Sequence, residues 1–458
     1  MCEMKQQILD KYNVPVPRYT SYPPANFFSD SFTSVDYESA IEASNTTSPN
    51  HISFYLHMPF CRSLCHYCGC NAYAMQKPDM VEQYINAVHA EIDNVIRRLD
   101  PKRKIAQIHY GGGTPTALPA RYLRELNEHL LSAFDCIENP EIAIECHPGY
   151  ADEAYWQELL VAGFNRFSLG IQDFNEQVLK AVNRKPSLLP VSDIFHLLKS
   201  HGVKVNMDFI YGLPFQTAES FGDTIQLATS LEPDRLVTFS YAHIPGIYKR
   251  QLVLEKAGLP ASEEKSRMYS VACEILASAG YKSIGLDHFV KPEDELYEAL
   301  ADGRLHRNFQ GYCTRRTTGQ VYAFGVTGIS QLSDAYCQNT KSIAEYIERV
   351  GKGELPIIKG YKLSKEEQIT REVIETLMCN YSIDWFSLAD RLSVSVEELH
   401  QIIGYSKTRM QEFKADGLIE YDQDKLIITS EGRLFVRNVA ASMDLLVRNS
   451  DKVFSKPV

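Results

Sequence analysis

The sequence predicts an α/β protein: an incomplete (β/α)6 barrel, preceded by an irregular amino-terminal segment and followed by a mostly helical carboxyl-terminal domain. Three observations predict it. Six apolar runs alternate with amphipathic helical stretches, polar and glycine- or cysteine-bearing motifs fall just past the first four runs, and the rhythm gives way to helices near Ser364. Alternating strands and helices build a parallel sheet covered by helices. In a barrel of that kind the working residues gather beyond the carboxyl ends of the strands.

The elements follow in order. Pro15, Pro17, Pro23 and Pro24 punctuate the first 50 residues and leave them irregular. Strands are expected at 52–56, 105–110, 141–145, 166–171, 203–210 and 235–241, where short apolar runs are rich in branched and aromatic residues. Helices are expected at 80–99, 121–134, 152–162, 218–230 and 263–279 from apolar residues at helical spacing. The first strand leads into a cysteine loop, Gly111-Gly112-Gly113-Thr114-Pro115 follows the second, Glu145 ends the third and Gln172 lies past the fourth. These spans divide the chain into 1–50, covering the barrel mouth, 51–360, the catalytic barrel and its extension, and 361–458.

In the last span, helices are expected at 366–377, 387–392 and 395–416, the last with Ser395 and Glu398 at capping-box spacing. A hairpin over 418–428 turns at Asp422-Gln423-Asp424, and a final helix starts at Glu431. This order is similar to a winged-helix module. Many such modules bind DNA, but residues 361–458 hold 13 Lys+Arg against 16 Asp+Glu, a net charge of −3. A lid over the substrate is the expected role.

The net charge of the 458-residue chain is −11, and no basic patch offsets it, so no nucleic-acid partner is expected. No run of about 18 apolar residues occurs, and the amino terminus lacks a basic segment followed by an apolar core. A cytoplasmic protein without membrane insertion is therefore expected, in a reducing compartment that keeps thiols available as ligands; a monomer is expected as well.

The most informative stretch is Cys61-Arg-Ser-Leu-Cys65-His-Tyr-Cys68, directly after His57-Met58-Pro59-Phe60. A cubane iron–sulfur cluster normally takes four thiolates, so a loop offering three leaves one iron open to a ligand that is not protein. Structural zinc needs four closed ligands, usually as separated pairs. His66 and Cys70 leave that alternative open at this loop, and a zinc-bearing regulator is its functional counterpart. A disulfide knot fits poorly, because the chain has 11 cysteines, an odd count. The loop resembles that of the radical S-adenosylmethionine (SAM) enzymes.

Longer strings narrow the resemblance. Pro17-Arg18-Tyr19-Thr20-Ser21-Tyr22-Pro23, Cys68-Gly69-Cys70-Asn71, Tyr211-Gly212-Leu213-Pro214, Tyr241-Ala242-His243, Leu305-His306-Arg307-Asn308-Phe309-Gln310-Gly311-Tyr312 and Gly325-Val326-Thr327-Gly328-Ile329-Ser330 are similar to the oxygen-independent coproporphyrinogen III oxidase family. The resemblance runs from about Tyr12 to the end. Haem-binding relatives, catalytically silent, share the barrel and cysteine loop but typically lack both the first string and the Cys-Gly-Cys-Asn ending. Two departures stand out: Tyr67 where the family often has Phe, and residues 314–319, which do not match.

The resemblance implies one [4Fe-4S] cluster on Cys61, Cys65 and Cys68, with Cys70 not a ligand, and two SAM molecules. It places the first, on the open iron, at Tyr55, Gly112, Glu145 and Ile329, and the second at Tyr67, Gly113, Thr114, Gln172, Arg184, Asp208 and Ala242. Absent glycine side chains would let main-chain groups approach SAM. Arg184 suits a carboxylate fork and Asp208 an ammonium. The implied reaction uses a 5′-deoxyadenosyl radical to convert two propionates of coproporphyrinogen III to vinyl groups, giving protoporphyrinogen IX in haem biosynthesis. A reductant and a terminal electron acceptor, both unidentified, are implied partners. No histidine is expected as a general base, since His57 and His109 suit hydrogen-bonded packing equally well. Arg18 is the candidate for a substrate carboxylate, against a plain surface role.

Overall fold

The computed structural model describes residues 7–8, 10–285, 287–314, 319–452 and 454. The mismatched positions 315–318 lie outside the described residues. All six expected strands form: β1 (Ile52–Met58), β2 (Ile105–Gly112), β3 (Cys136–Cys146), β4 (Arg166–Gln172), β5 (Lys204–Tyr211) and β6 (Arg235–Ser240). They lie side by side in sequence order, each parallel to the next.

Short strands absent from the sequence reading extend this array to a 12-stranded mixed sheet. Beyond β6 come β8 (His288–Val290) and β7 (Lys282–Ile284), both antiparallel additions. On the other side β9 (Gln320–Phe324) runs parallel to β1, followed by antiparallel β10 (Ile329–Gln331), β11 (Ala335–Asn339) and β12 (Ile357–Lys362).

Side chains alternate along a strand with a period of two, and that alternation sorts the core from the site. Ile52, Phe54, Leu56 and Met58 of β1, Ile108 and Tyr110 of β2, Phe167, Leu169 and Ile171 of β4, and Val205, Met207 and Phe209 of β5 all enter one hydrophobic core with the surrounding helices. Their neighbours Tyr55, His57, His109, Glu145, Ser168, Gln172 and Asp208 stand on the opposite face. The polar residues of five strands therefore share one face of the sheet.

The expected helices form at Pro78–Ile96, Ala120–Ala133, Glu153–Val161, Ala218–Ser230 and Ser262–Ser278. Residues 1–50 are less irregular than their prolines suggest. Ser34–Ser44 is a helix, opened by a capping box in which Thr33 and Asp36 bond each other's backbone. Its buried Tyr37, Ala40 and Ile41 recur at helical spacing.

Upstream of that helix the chain packs on the carboxyl-terminal unit. Tyr12, Tyr19, Tyr22 and Phe28 share a hydrophobic cluster with Leu377, Trp385, Phe413 and Phe435, and Tyr19 Oη donates to Asp444 Oδ2 at 2.8 Å. Tyr19 and Tyr22 are 5% and 1% exposed. Neither ring has a face left exposed.

The carboxyl-terminal unit runs Lys365–Asn380, a strand Ser382–Asp384, helices Trp385–Leu392, Val396–Ile402 and Lys407–Ala415, then strands Ile419–Tyr421 and Lys425–Ile428. The strands form one small antiparallel sheet. The single helix expected over 395–416 is two. Gly404 breaks it at φ +62°, where a Cβ would stand 2.5 Å from Leu445, and Ser406 caps the second helix. The helix expected from Glu431 is Val436–Ser442, preceded by a 3-10 turn at Gly432–Phe435 and followed by a short helix, Leu445–Arg448.

Candidate functional site

The cysteine loop is built as a closed excursion from the end of β1. Phe60–Cys61 pairs in parallel with Tyr73–Ala74, so Tyr73 N donates to Pro59 O at 2.7 Å and Met75 N to Cys61 O at 2.8 Å. All three expected ligand thiols are unpaired; Cys61 and Cys65 are buried and Cys68 is half-buried. Burial pushes the Cys61 thiol up to about 11, against a lowering contact from Thr114, whose Oγ1 lies 3.3 Å from its sulfur. Cys70 beside Cys68 holds the latter's thiol at about 6, and the Cys70 amide donates to Cys68 Sγ at 3.4 Å.

The glycine turn after β2 is fitted to this loop. Gly112 has φ +112°, and a Cβ on it would stand 2.7 Å from the His57 ring. A Cβ on Gly113 would meet the Pro59 carbonyl at 2.7 Å. The Gly113 and Thr114 amides donate to Met58 O (2.8 Å) and Phe60 O (3.0 Å). These two donors lock the turn onto β1, so what the turn offers a ligand is close approach, not those amides.

Tyr55 stacks on His109 with ring centroids 6.0 Å apart and shares a 3.1 Å hydrogen bond with His57 Nδ1. Glu145 Oε1 lies 3.2 Å from His109 Nε2, with nearly half of its side chain exposed. Burial pushes the pKa of His57 down, and its Nε2 lies 3.1 Å from Asn71 O. His57 thus joins the strand end to the far side of the cysteine loop, which fits the packing role.

Arg184 reaches across from the other flank. Its Nη1 donates to Tyr67 Oη at 3.2 Å and contacts Cys65 Sγ at 3.7 Å, while Nη2 donates to Gly170 O. The hydroxyl that distinguishes Tyr67 from Phe therefore has a partner. Gln172 adopts φ +71°, and its Oε1 is buried with no partner among the described residues. Asp208 accepts from Ser168 Oγ at 2.8 Å; burial pushes its carboxyl up to about 6.

Two expected residues are supported from elsewhere. Ala242 O and Tyr67 O both accept from Gln251 Nε2, at 3.2 and 3.0 Å. Ile329 begins β10 and packs against the cluster of the carboxyl-terminal unit; no described contact joins it to Tyr55 or Glu145. Arg18 is exposed on the amino-terminal strap, within electrostatic reach of Arg437.

Three residues escaped the sequence reading. Gln251 is nearly inaccessible and carried no local signal. Arg307 stands 5.0 Å from the Tyr312 ring centroid, with its Nε buried and without a partner among the described residues. Glu91 was readable, because it interrupts the apolar face of helix Pro78–Ile96 that carries Tyr84, Ile85, Val88 and Val95.

Among the described residues no three His, Cys, Asp or Glu side chains are grouped to hold a single metal ion. The donor set is three thiols on one loop, with a partnerless amide oxygen at Gln172 and a close glycine turn beside them. That set fits an iron–sulfur cluster with one open iron and an adjoining polar ligand. Fold and loop together define a radical SAM enzyme, and residues 55–228 match the Radical SAM superfamily. Residues 363–435 match the HemN C-terminal domain.

The chain is 37% identical over 460 residues to the oxygen-independent coproporphyrinogen III oxidase of Synechocystis, covering 100% of this chain and 98% of that protein. It is 34% identical to the Escherichia coli K12 oxidase of the same name, covering 97% and 96%. The solved structure of coproporphyrinogen III oxidase (HemN) from Escherichia coli, described as a radical SAM enzyme, matches with a TM-score of 0.86 over 96% of this chain and 98% of that one. The chain belongs to the oxygen-independent coproporphyrinogen III oxidase family. Its cofactors are accordingly a [4Fe-4S] cluster and SAM.

Proposed function

We propose that this protein converts two propionate side chains of coproporphyrinogen III to vinyl groups without oxygen, giving protoporphyrinogen IX. The single observation that carries the reading is the full-length similarity to proteins of that name, with the three-thiol loop intact. Each propionate, CH2CH2COO−, loses one hydrogen atom, one electron and CO2 to leave CH=CH2. The bound cluster and SAM supply the hydrogen-abstracting radical, and the protein orients the partners and excludes water.

In this reading Cys61, Cys65 and Cys68 hold the cluster and Cys70 does not. Two SAM molecules bind. Tyr55, Gly112, Glu145 and Ile329 take the first, and Tyr67, Gly113, Thr114, Gln172, Arg184, Asp208 and Ala242 the second. To grip a carboxylate Arg184 gives up its Gly170 carbonyl, and Asp208, ionised above about pH 6, receives an ammonium. For the substrate carboxylates Arg307 is better placed than the exposed Arg18, because its Nε is already desolvated and has no partner among the described residues.

Residues 51–360 serve as the catalytic region, read as an incomplete six-unit barrel with its extension. The unit at 361–458 follows a winged-helix order and serves as a lid, not a nucleic-acid binder, and residues 1–50 strap it over the mouth. No described helix is long and apolar enough to cross a membrane, and a monomer working in the cytoplasm with a separate reductant and electron acceptor completes the reading. Anaerobic assay of the reconstituted protein with SAM, dithionite and coproporphyrinogen III tests it. Two CO2 released per protoporphyrinogen IX is expected, and haem binding without turnover would overturn it.

A further inference from the structure

The cysteine loop has a second neighbour besides the mouth. Its Ser63 to His66 portion is fastened to the end of helix Glu176–Ala181 and the turn after it: His66 N donates to Val182 O at 2.9 Å, Asn183 Nδ2 to Leu64 O at 2.9 Å and Ser63 Oγ to Asn183 O at 3.3 Å. Beside this seam opens a cleft of about 740 Å³, lined by Ser63, Tyr150, Lys180, Asn183 and Lys185 among others. Two cations stand over the Tyr150 ring, the Arg62 guanidinium 5.4 Å and the Lys185 ammonium 5.2 Å from its centroid. Arg62, Lys180 and Lys185 are all exposed, and Glu176 is the acid in the lining.

This is a positive surface on a chain of net charge −11. It is also one side chain away from the thiols, because Arg184 lines the cleft and contacts Cys65 Sγ at 3.7 Å. Burial and then the charges of Arg184 and Lys185 hold the neighbouring His147 down at about 3, which registers the same field. Only Tyr150 and Pro186 among the lining residues are apolar or aromatic in type, so it lacks the aromatic and aliphatic walls a flat macrocycle needs. A polar, cationic, open depression beside a redox centre suits a brief encounter with an acidic protein surface, steered by charge and confined to this patch by repulsion elsewhere.

We propose that the Arg62–Tyr150–Lys180–Lys185 cleft is the docking surface for an acidic one-electron carrier protein that reduces the cluster. It rests on the functional reading above, which requires a reductant. One electron leaves the reduced carrier and one arrives at the cluster, with no bond made or broken.

The test uses the reconstituted holoenzyme and a strongly acidic flavodoxin as probe. Binding of oxidised flavodoxin and the rate of cluster reduction by its reduced form are compared between the natural protein and a Lys180→Glu/Lys185→Glu variant, with dithionite as a small-molecule control. Added salt is expected to weaken flavodoxin binding to the natural protein steeply. The variant is expected to lose at least 10-fold in both binding and carrier-driven reduction while its dithionite reduction and SAM binding stay unchanged. Unchanged flavodoxin binding and rate in the variant would overturn the proposal. So would a parallel fall in dithionite reduction, which a Lys180→Gln/Lys185→Gln variant would reproduce if the lysines merely support the loop. A raised KM for coproporphyrinogen III with intact carrier kinetics would instead assign the cleft to substrate. Failure of the dithionite-reduced natural enzyme to turn over would sink the functional reading alone.

Discussion

Replacing Glu91 by Gln should cost stability at acid pH and almost nothing at alkaline pH. Glu91 is 1% exposed. Its Oε2 accepts from Gly325 N at 2.8 Å and Tyr346 Oη at 2.5 Å, and its Oε1 accepts from Asn339 Nδ2 at 2.7 Å. Burial outweighs these donors and pushes the carboxyl up from 4.5 to about 7. A folded value above the unfolded one means that the contribution is full below about pH 4.5 and is lost as pH rises to about 7. At about 1.4 kcal/mol per unit, the loss is roughly 3 kcal/mol.

The neutral carboxyl can satisfy every neighbour, since its O–H can donate to Tyr346 Oη. An amide cannot. Its NH2 must face either Gly325 N or Asn339 Nδ2, and one such opposition costs about 1–3 kcal/mol. The variant is thus less stable by that amount near pH 5 and level with the natural protein near pH 8. Hydrogen exchange at residues 325–329, converted to opening free energies at both pH values, reads the difference. A deficit that stays constant or grows with pH would refute the reasoning, because it would mean the ionised form is the one the fold prefers.

Further outcomes follow from the site. Cys61→Ala, Cys65→Ala and Cys68→Ala should each fail to hold iron and sulfide on anaerobic reconstitution while Cys70→Ala succeeds; normal iron in any of the first three would reassign the ligands. Arg184→Ala should weaken the second SAM by about 1.5–3 kcal/mol and leave the cluster-bound one, so equilibrium binding that still titrates to two equal-affinity SAM molecules counts against it. Affinity for the second SAM should fall as pH drops through about 6, where Asp208 takes up a proton, and Asp208→Asn should flatten that profile; a flat profile in the natural protein removes Asp208 from the site. Tyr19→Phe should destabilise the carboxyl-terminal unit by about 1–3 kcal/mol by leaving the fully buried Asp444 short of a donor, and a urea midpoint unchanged from the natural protein would show the bond to be idle.

The central strands were legible because each buries one face and places the next residue on the other, so apolar runs and polar strand ends occur together. That pattern set the first five to within a few residues at their carboxyl ends and gathered the cysteine loop, the glycine turn, Glu145 and Gln172 at those ends, whereas Tyr55 and Asp208 came only from the family resemblance. The short strands β7 to β12 were not legible. Most are three to five residues long, and they pair with partners chosen by tertiary packing, which leaves too few residues for a period to register. Gln320–Phe324 is buried throughout and resembles a core strand, but its partner β1 lies far earlier in the chain. The site was legible where a residue type has its own chemistry, as with the thiols. It was illegible where a residue works through distant backbone, as Gln251 does by bonding Tyr67 O and Ala242 O together.

The amino-terminal string carries part of the family resemblance, and its aromatic residues are taken up by packing. Tyr12, Tyr19 and Tyr22 fill the cluster of the carboxyl-terminal unit, Tyr19 Oη satisfies Asp444, and Asn438 Nδ2 donates to Tyr12 O at 2.9 Å. The same strap continues to Ser29, which bonds Gly360 of β12 in both directions at 2.8 and 2.9 Å. One segment therefore joins the edge of the 12-stranded sheet to the unit beyond it. A chain without the string would leave a buried carboxylate and a set of apolar cavities in that unit, each costing about 1–3 kcal/mol or more. String and unit are energetically one device. By fixing where the carboxyl-terminal unit stands, the string also fixes helix Lys365–Asn380, whose Asn380 side chain bonds the backbone of Leu305 two residues from Arg307.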